Sequence, residues 1–308
     1  MIANVVKTEE TQKIQNSKNP ELIALLSKID KLPVLPPLAI KIMERTKDPE
    51  FGIDELIDMI LMDQVLTAKM VRVVNSVYFG LGRRVDSLRE ALVFLGAKEI
   101  NNVVLTTTLL NTYSSPKNAQ IFRAFWEYSF ATAVVSKLLA KSLKYKDHER
   151  AYLAGLLHDI GEIILIHNFP EEFGKIIKRV EQTNCTFEEA EIEELGLSHT
   201  DFGPWLLEQW NYFGEIAHVV SRHHKPETAV FERHLVAIVH LAGLYCQNNE
   251  LGFGISKDVK YNFEMNYSWE LLKNEFSPNS SFNIGMHITR LDENLKYIKE
   301  IVKNAFQS

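Results

Sequence analysis

The chain has 308 residues, 46% hydrophobic and 24% charged, with a net charge of −6 at neutral pH. That length suffices for one large core or two packed lobes, and the composition is ordinary for a globular protein. The negative balance excludes general attraction to nucleic acid or anionic membranes, which needs a basic surface.

Residues 1–18 are polar and aperiodic and are expected to form a mobile arm. Residues 19–113 read as a helical lobe. Leu32-Pro-Val-Leu-Pro-Pro37 is a stiff entry, because each proline fixes φ and removes a donor. Leu56, Ile57, Ile60, Leu61, Val65, Leu66 and Met70 recur at three- and four-residue spacing, the mark of an apolar helix face. Ser87-Leu-Arg-Glu90 is a capping box, and Gly96 ends the helix it opens. Asn75-Ser76 reads as a turn or cap, and Arg72, Arg83 and Arg84 as a solvated face, because no glycine-rich phosphate loop accompanies them.

After the break at Ser114-Ser-Pro-Lys-Asn118, residues 119–248 form a second helical region. Helices are predicted over Trp126 to Leu139, Ala151 to Ile166, Phe187 to Glu194, Leu206 to Trp210 and Leu235 to Tyr245. Residues 249–308 are a C-terminal extension. Ile288, Leu291, Leu295, Ile298 and Val302 mark its closing amphipathic helix, spaced close to a heptad seam, which is expected to dock on the chain's own core, with a dimer contact as the alternative. Alternating strand patterns are scarce, so the predicted class is all-α, a two-lobe helical bundle.

Cys185 and Cys246 are the two cysteines, far apart, and read as reduced thiols. The first ten residues lack a basic segment followed by a long apolar one, so no leader is expected. The longest apolar stretch, Leu235 to Cys246, is interrupted by His240 and is too short to span a bilayer. A cytoplasmic location is expected, with neither a nucleic-acid nor a membrane partner.

The densest chemistry lies at Ala151-Tyr-Leu-Ala-Gly-Leu-Leu-His-Asp-Ile-Gly-Glu162. An apolar run ending in His158-Asp159 buries a polar pair that needs a partner, and imidazole beside carboxylate suits a divalent metal. His199, His223, His224 and, less directly, His240 are the further candidates among ten histidines. Each also has a plain structural reading. Asp159 can cap a helix or accept from an imidazole, and His240, between Val239 and Leu241, suits a core position. His199 fits an inward contact or a surface helix start; Pro204 leaves open whether the helix kinks or begins there. His223 and His224 diverge by roughly 100° if both are helical, so one of them is expected to face a shared centre. Trp126, Trp205 and Trp210 read as core anchors.

Taken in order, these segments resemble the HDOD domain, the HD-related output domain of bacterial signalling proteins. The resemblance is carried by Leu32-Pro-Val-Leu-Pro, Asp63-Gln-Val-Leu-Thr-Ala-Lys-Met-Val-Arg72, Asn75-Ser76-Val-Tyr-Phe-Gly80, Ser87-Leu-Arg-Glu-Ala-Leu, Leu95-Gly96, Gly155-Leu-Leu-His-Asp-Ile-Gly161, His199, Trp210 and His223-His224. It implies an N-terminal helical lobe packed on an HD-like helical lobe. It also implies kinship with HD-superfamily metal-dependent phosphohydrolases, whose pattern of His, His-Asp and a distant Asp falls here on Tyr128, His158-Asp159 and Gly243. A phenol titrating near 10 is a poor neutral-pH ligand, and glycine has no side chain to offer. The chain is less similar to HD-GYP cyclic di-GMP phosphodiesterases: Lys225-Pro-Glu-Thr-Ala follows the paired histidines, and Glu162 replaces a lysine. The resemblance therefore implies a non-catalytic signalling module acting through a protein partner. No catalytic residue and no cofactor are expected. If a divalent metal is held, the candidates are His158, Asp159, His199, His223 and His224. The alternative is a metal-dependent phosphohydrolase acting on a nucleotide or cyclic dinucleotide.

Overall fold

The fold is taken from a computed structural model that describes residues 20–29, 37–45, 52–61, 89–90, 102, 104, 106, 119–183, 185–210, 214–251, 263, 266–276 and 284–306. Among them are thirteen α-helices and no strand. The all-α expectation is met. The N-terminal arm, the proline-rich entry, Asn75-Ser76, the three arginines and Ser87 lie outside the described residues, except that Pro37 opens a helix and Arg89 and Glu90 are helical.

Three short helices come first: α1 (Pro20–Leu26), α2 (Pro37–Arg45) and α3 (Ile53–Leu61). On α3 the predicted apolar face is buried at Leu56, Ile57 and Ile60, while Leu61 points outward. The rest is built around α4 (Ala119–Ser142) and α5 (His148–Leu157). α4 is buried along most of its length, since it carries apolar or small residues on nearly every face. It crosses α5 closely. A Cβ at Gly155 would fall 2.7 Å from Ser136 Oγ and 2.9 Å from Ala133 Cα, so a larger residue there would push the helices apart.

The stretch predicted as one helix from Ala151 to Ile166 is two. α5 stops at Leu157, a turn covers His158 to Gly161, and α6 (Glu162–Asn168) resumes. Apolar periodicity does not register this break, because Ile160, Ile163 and Ile164 are buried on either side of it. Gly161 permits the turn: a Cβ there would lie 2.1 Å from the His199 carbonyl oxygen. The His-Asp turn thus sits directly on the backbone of a distant segment.

α7 (Pro170–Thr183) and α8 (Phe187–Leu195) form a hairpin, α8 being opened by a Thr186–Glu189 capping box and closed by Gly196 at φ 75°. α9 (His199–Gln209) starts at a Ser198–Asp201 box, so Pro204 lies inside this helix rather than at its start. α10 (Glu215–Arg222), a 3-10 turn (Pro226–Thr228) and α11 (Arg233–Asn248) follow. α12 (Tyr267–Phe276) and α13 (Ile284–Phe306) bury Trp269, Leu272, Leu291, Ile298 and Val302 in the same apolar cluster as α4. The closing helix docks on the chain's own core, as expected. Its register is pinned by the Tyr245 hydroxyl, which donates to Asp292 Oδ1 at 2.8 Å.

Lys137 on α4 is almost fully buried and pairs with Glu149 on α5 at 2.8 Å. Asn102 Nδ2 donates to the same carboxylate at 3.1 Å, and the Thr106 and Tyr152 hydroxyls are bonded at 3.0 Å. These contacts tie helical residues upstream of α4 to α5, whose C-terminal end carries the His-Asp turn.

Candidate metal centre

Three separate helix ends deliver the polar side chains. The turn after α5 brings His158 and Asp159, the first residue of α9 is His199, and the chain leaving α10 carries His223 and His224. Both histidines of the last pair reach the centre. The helix stops at Arg222, so the 100° divergence expected of consecutive helical residues does not apply to them.

The ring orientations follow from their outer contacts. His158 Nδ1 lies 2.8 Å from the Gly155 carbonyl, His223 Nδ1 2.9 Å from the Val220 carbonyl, and His199 Nδ1 2.7 Å from Glu191 Oε2. Each partner can accept, so each Nδ1 donates outward and each ring turns its Nε2 toward the centre. Those Nε2 atoms face a carboxylate. His158 Nε2 is 3.1 Å from Asp159 Oδ2, while His223 Nε2 and His199 Nε2 are 3.0 and 3.4 Å from Oδ1. His158 Nε2 and Asp159 Oδ1 are buried without a hydrogen-bond partner.

Acceptors facing acceptors need a positive charge between them, supplied by a proton or by a cation. Burial pushes His223 down to about 4 in spite of Asp159, and burial with the neighbouring His223 and His199 pushes His224 down as well. Burial works to raise Asp159, but the attraction of His158 and the contacts from His158 and His223 outweigh it and hold the carboxyl well below its usual value. Near neutrality Asp159 is therefore charged, while His223 and His224 are neutral. A metal ion held among these donors would supply that charge.

The separations suit one. His199 Nε2 is 3.4 Å from His223 Nε2 and 3.0 Å from His224 Nε2. Donors about 2.0–2.1 Å from a tetrahedral zinc stand roughly 3.3 Å apart. Asp159, His199, His223 and His224 thus form a group that can hold a metal ion. Counting ligand positions in the sequence pointed to a centre too poor for metal; the fold gathers four donors from the positions that remain. His158 belongs to the wall, oriented by Gly155 and facing Asp159.

The two altered positions are adjacent in space. Tyr128 is buried, its ring edge-on to that of His158 at 5.4 Å between centroids. Its hydroxyl accepts from Gln247 Nε2 at 3.2 Å, and a Cβ at position 243 would fall 3.2 Å from that oxygen. The phenol therefore occupies room that glycine leaves. Burial and the nearby Asp159 charge push Tyr128 well above its usual value, so it stays protonated.

His240 is not among the four donors but braces them: its Nδ1 donates to the His223 carbonyl at 2.6 Å, and its Nε2 accepts from Asn266 Nδ2 at 3.1 Å. Behind His199 stand two buried glutamates. Glu191 Oε2 also accepts from the His199 backbone N–H at 2.9 Å, and Glu162 Oε1 lies 3.5 Å from His199 Nδ1. Burial pushes Glu191 up to about 8, and burial together with the Glu191 charge pushes Glu162 well above its usual value. Two like charges in contact there would repel strongly, so at least one carboxyl keeps its proton near neutrality. Glu191 escaped sequence reading because it sits in Glu188-Glu189-Ala190-Glu191-Ile192-Glu193-Glu194, which looks solvated. The available signal was its position four residues after Phe187 and four before Leu195, on the apolar face.

With this geometry in view, the comparisons are specific. The HDOD domain matches residues 32–226. A Geobacter sulfurreducens HDOD domain protein of unknown function has a similar structure, with TM-score 0.82, 28% identity, and coverage of 98% of this chain and 100% of that one. A Shewanella amazonensis protein provisionally described as a phosphohydrolase shares the fold at TM-score 0.71 and 21% identity, over 92% and 98% of the two chains. A Marinobacter aquaeolei protein provisionally described in signal transduction shares it at TM-score 0.68 and 18% identity, over 98% and 66%. An uncharacterized Treponema pallidum protein is 22% identical over 233 residues, which is 75% of this chain but 45% of that protein, so the chain spans about half its relative's length. No helix among the described residues is long and apolar enough to cross a membrane. The match over residues 32–226, with the His-Asp turn and the paired histidines inside it, places the chain in the HDOD domain family.

Proposed function

We propose that this chain is a non-catalytic regulatory module that acts through a protein partner, and that its His-Asp centre holds one divalent cation as a structural or sensing element. One observation carries the reading. Four donors converge where the neighbouring wall is a neutral phenol seated over Gly243, and where His199 and His223 are almost fully buried and Asp159 is only 9% exposed. A bound divalent metal would supply Lewis acidity and lower the pKa of a coordinated water. Hydrolysis also needs a place for substrate, and here the residues that flank the donors are Tyr128 and the acids Glu162 and Glu191. None of the three offers the positive charge that stabilises a phosphoryl group. The shared fold of the Marinobacter protein described in signal transduction agrees with a regulatory role.

The test is turnover. Protein supplied with zinc or manganese is incubated with phosphomonoester, phosphodiester, nucleotide and cyclic-dinucleotide substrates. No hydrolysis above the protein-free rate is expected. Hydrolysis that disappears in Asp159→Ala would establish the phosphohydrolase alternative in place of this reading.

A further inference from the structure

The α7–α8 hairpin has a small core of its own. Ile176, Val180 and Ala190 form a buried cluster apart from the main one, with Cys185, Phe187 and Leu195 packed on it. Phe173 of α7 is buried in the main core, and Ile177, Phe187 and Leu195 pack against it. From this satellite unit one side chain reaches into the centre: Glu191, which is fully buried.

Glu191 Oε2 takes both hydrogen bonds that orient His199, from the ring Nδ1 at 2.7 Å and the backbone N–H at 2.9 Å. The Nδ1 proton is thereby committed to Glu191 and leaves Nε2 as the cation-facing atom. Glu162, Glu191 and His199 also lie close enough to hold an ion of their own. That arrangement would require His199 to give up the proton it donates, so a bond to Glu191 is the better use of the contact. Buried carboxylates behind metal-bound imidazoles fix ring orientation and raise donor strength, and their loss typically weakens metal binding about 10–100-fold. A second tie runs the same way: Lys225 Nζ, next to His224, pairs with Glu188 of α8 at 3.0 Å. One helix outside the main core therefore touches two of the three segments that deliver donors.

We propose that Glu191 is the positioning residue that sets His199 as a cation donor, so that seating of the α7–α8 hairpin and occupancy of the centre are coupled. This rests on the cation reading above. By linkage, anything that lifts the hairpin weakens cation binding, and cation binding seats the hairpin.

Zinc affinity of the full chain is measured by competition with a chromophoric chelator for wild type, Glu191→Ala, Glu191→Gln and Asp159→Ala. Amide hydrogen exchange of residues 187–195 is followed with and without zinc. Glu191→Ala is expected to bind zinc about 10–100-fold more weakly. Glu191→Gln, whose amide oxygen still accepts both bonds, recovers most of that loss. In wild type, zinc slows exchange along α8; in Asp159→Ala it does not. If Glu191→Ala binds as tightly as wild type while Asp159→Ala does not bind, the positioning role is wrong and the cation reading stands. If Glu191→Ala fails to fold, Glu191→Gln and the wild-type exchange data decide, and zinc-insensitive exchange in α8 would refute the coupling. A wild-type chain that takes up no zinc removes the cation reading itself.

Discussion

At the scale of single residues, Tyr128 and Gly243 act as one unit. The phenol oxygen stands 3.2 Å from where a Cβ at 243 would be, so a larger residue at 243 must displace the ring. Gly243→Asp is expected to destabilise by roughly 1–3 kcal/mol, and by clearly less in a Tyr128→Ala background. Urea midpoints of the two single variants and the double variant check this; strict additivity would show that the positions are independent. Burial pushes the Cys246 thiol up to about 12, whereas Cys185 is partly exposed. A thiol reagent near neutral pH should therefore modify one thiol per chain quickly, and Cys185→Ser should remove that fast phase. The acid pair behind His199 gives a pH dependence. Glu191 is raised to about 8 from an ordinary 4.5, so its stabilisation is complete below the unfolded value and fades as pH rises through the folded one. The urea midpoint of the metal-free protein should fall from about pH 7 to about pH 8.5, by up to about 1–2 kcal/mol in stability. Glu191→Gln should remove the larger part of that fall. An equal fall in both proteins would contradict the assignment.

Whole elements explain how much could be read in advance. The long helices were legible because α4 and α11 are apolar along most of their length and α13 carries spaced apolar positions that packing then used. The break between α5 and α6 was not, since a turn lined by Ile160 and Ile163 keeps an apolar register. Reach was also hidden: the paired histidines were judged as helical neighbours, yet the helix ends at Arg222 and frees both. His158, Asp159 and His199 stood out by residue type, while Glu191 did not, because its neighbours are glutamates facing solvent. The buried Lys137–Glu149 pair belongs to this scale too, since it joins α4 to α5 behind the His-Asp turn. Lys137→Met leaves the partly buried carboxylate without its cation and is expected to cost about 3 kcal/mol, at the low end for a broken buried pair because Glu149 keeps some solvent contact. Thermal or urea unfolding measures it, and a change under about 0.5 kcal/mol, typical of a surface substitution, would mean that the pair is not structural.

For the molecule as a whole, the fold supplies a rigid helical frame whose polar centre is assembled from three helix ends distant in sequence. Such a centre forms only in the native state, so an ion bound there stabilises the fold, by about 2.7 kcal/mol at a free concentration one hundred times the Kd. The HDOD match over residues 32–226 establishes the family. The most direct measurement is the metal content of the full chain, purified without chelator and dialysed against zinc, beside Asp159→Ala treated identically. About one tightly held ion per wild-type chain and none in the variant is expected. Wild-type protein with no bound ion, or a variant that keeps it, would contradict the account.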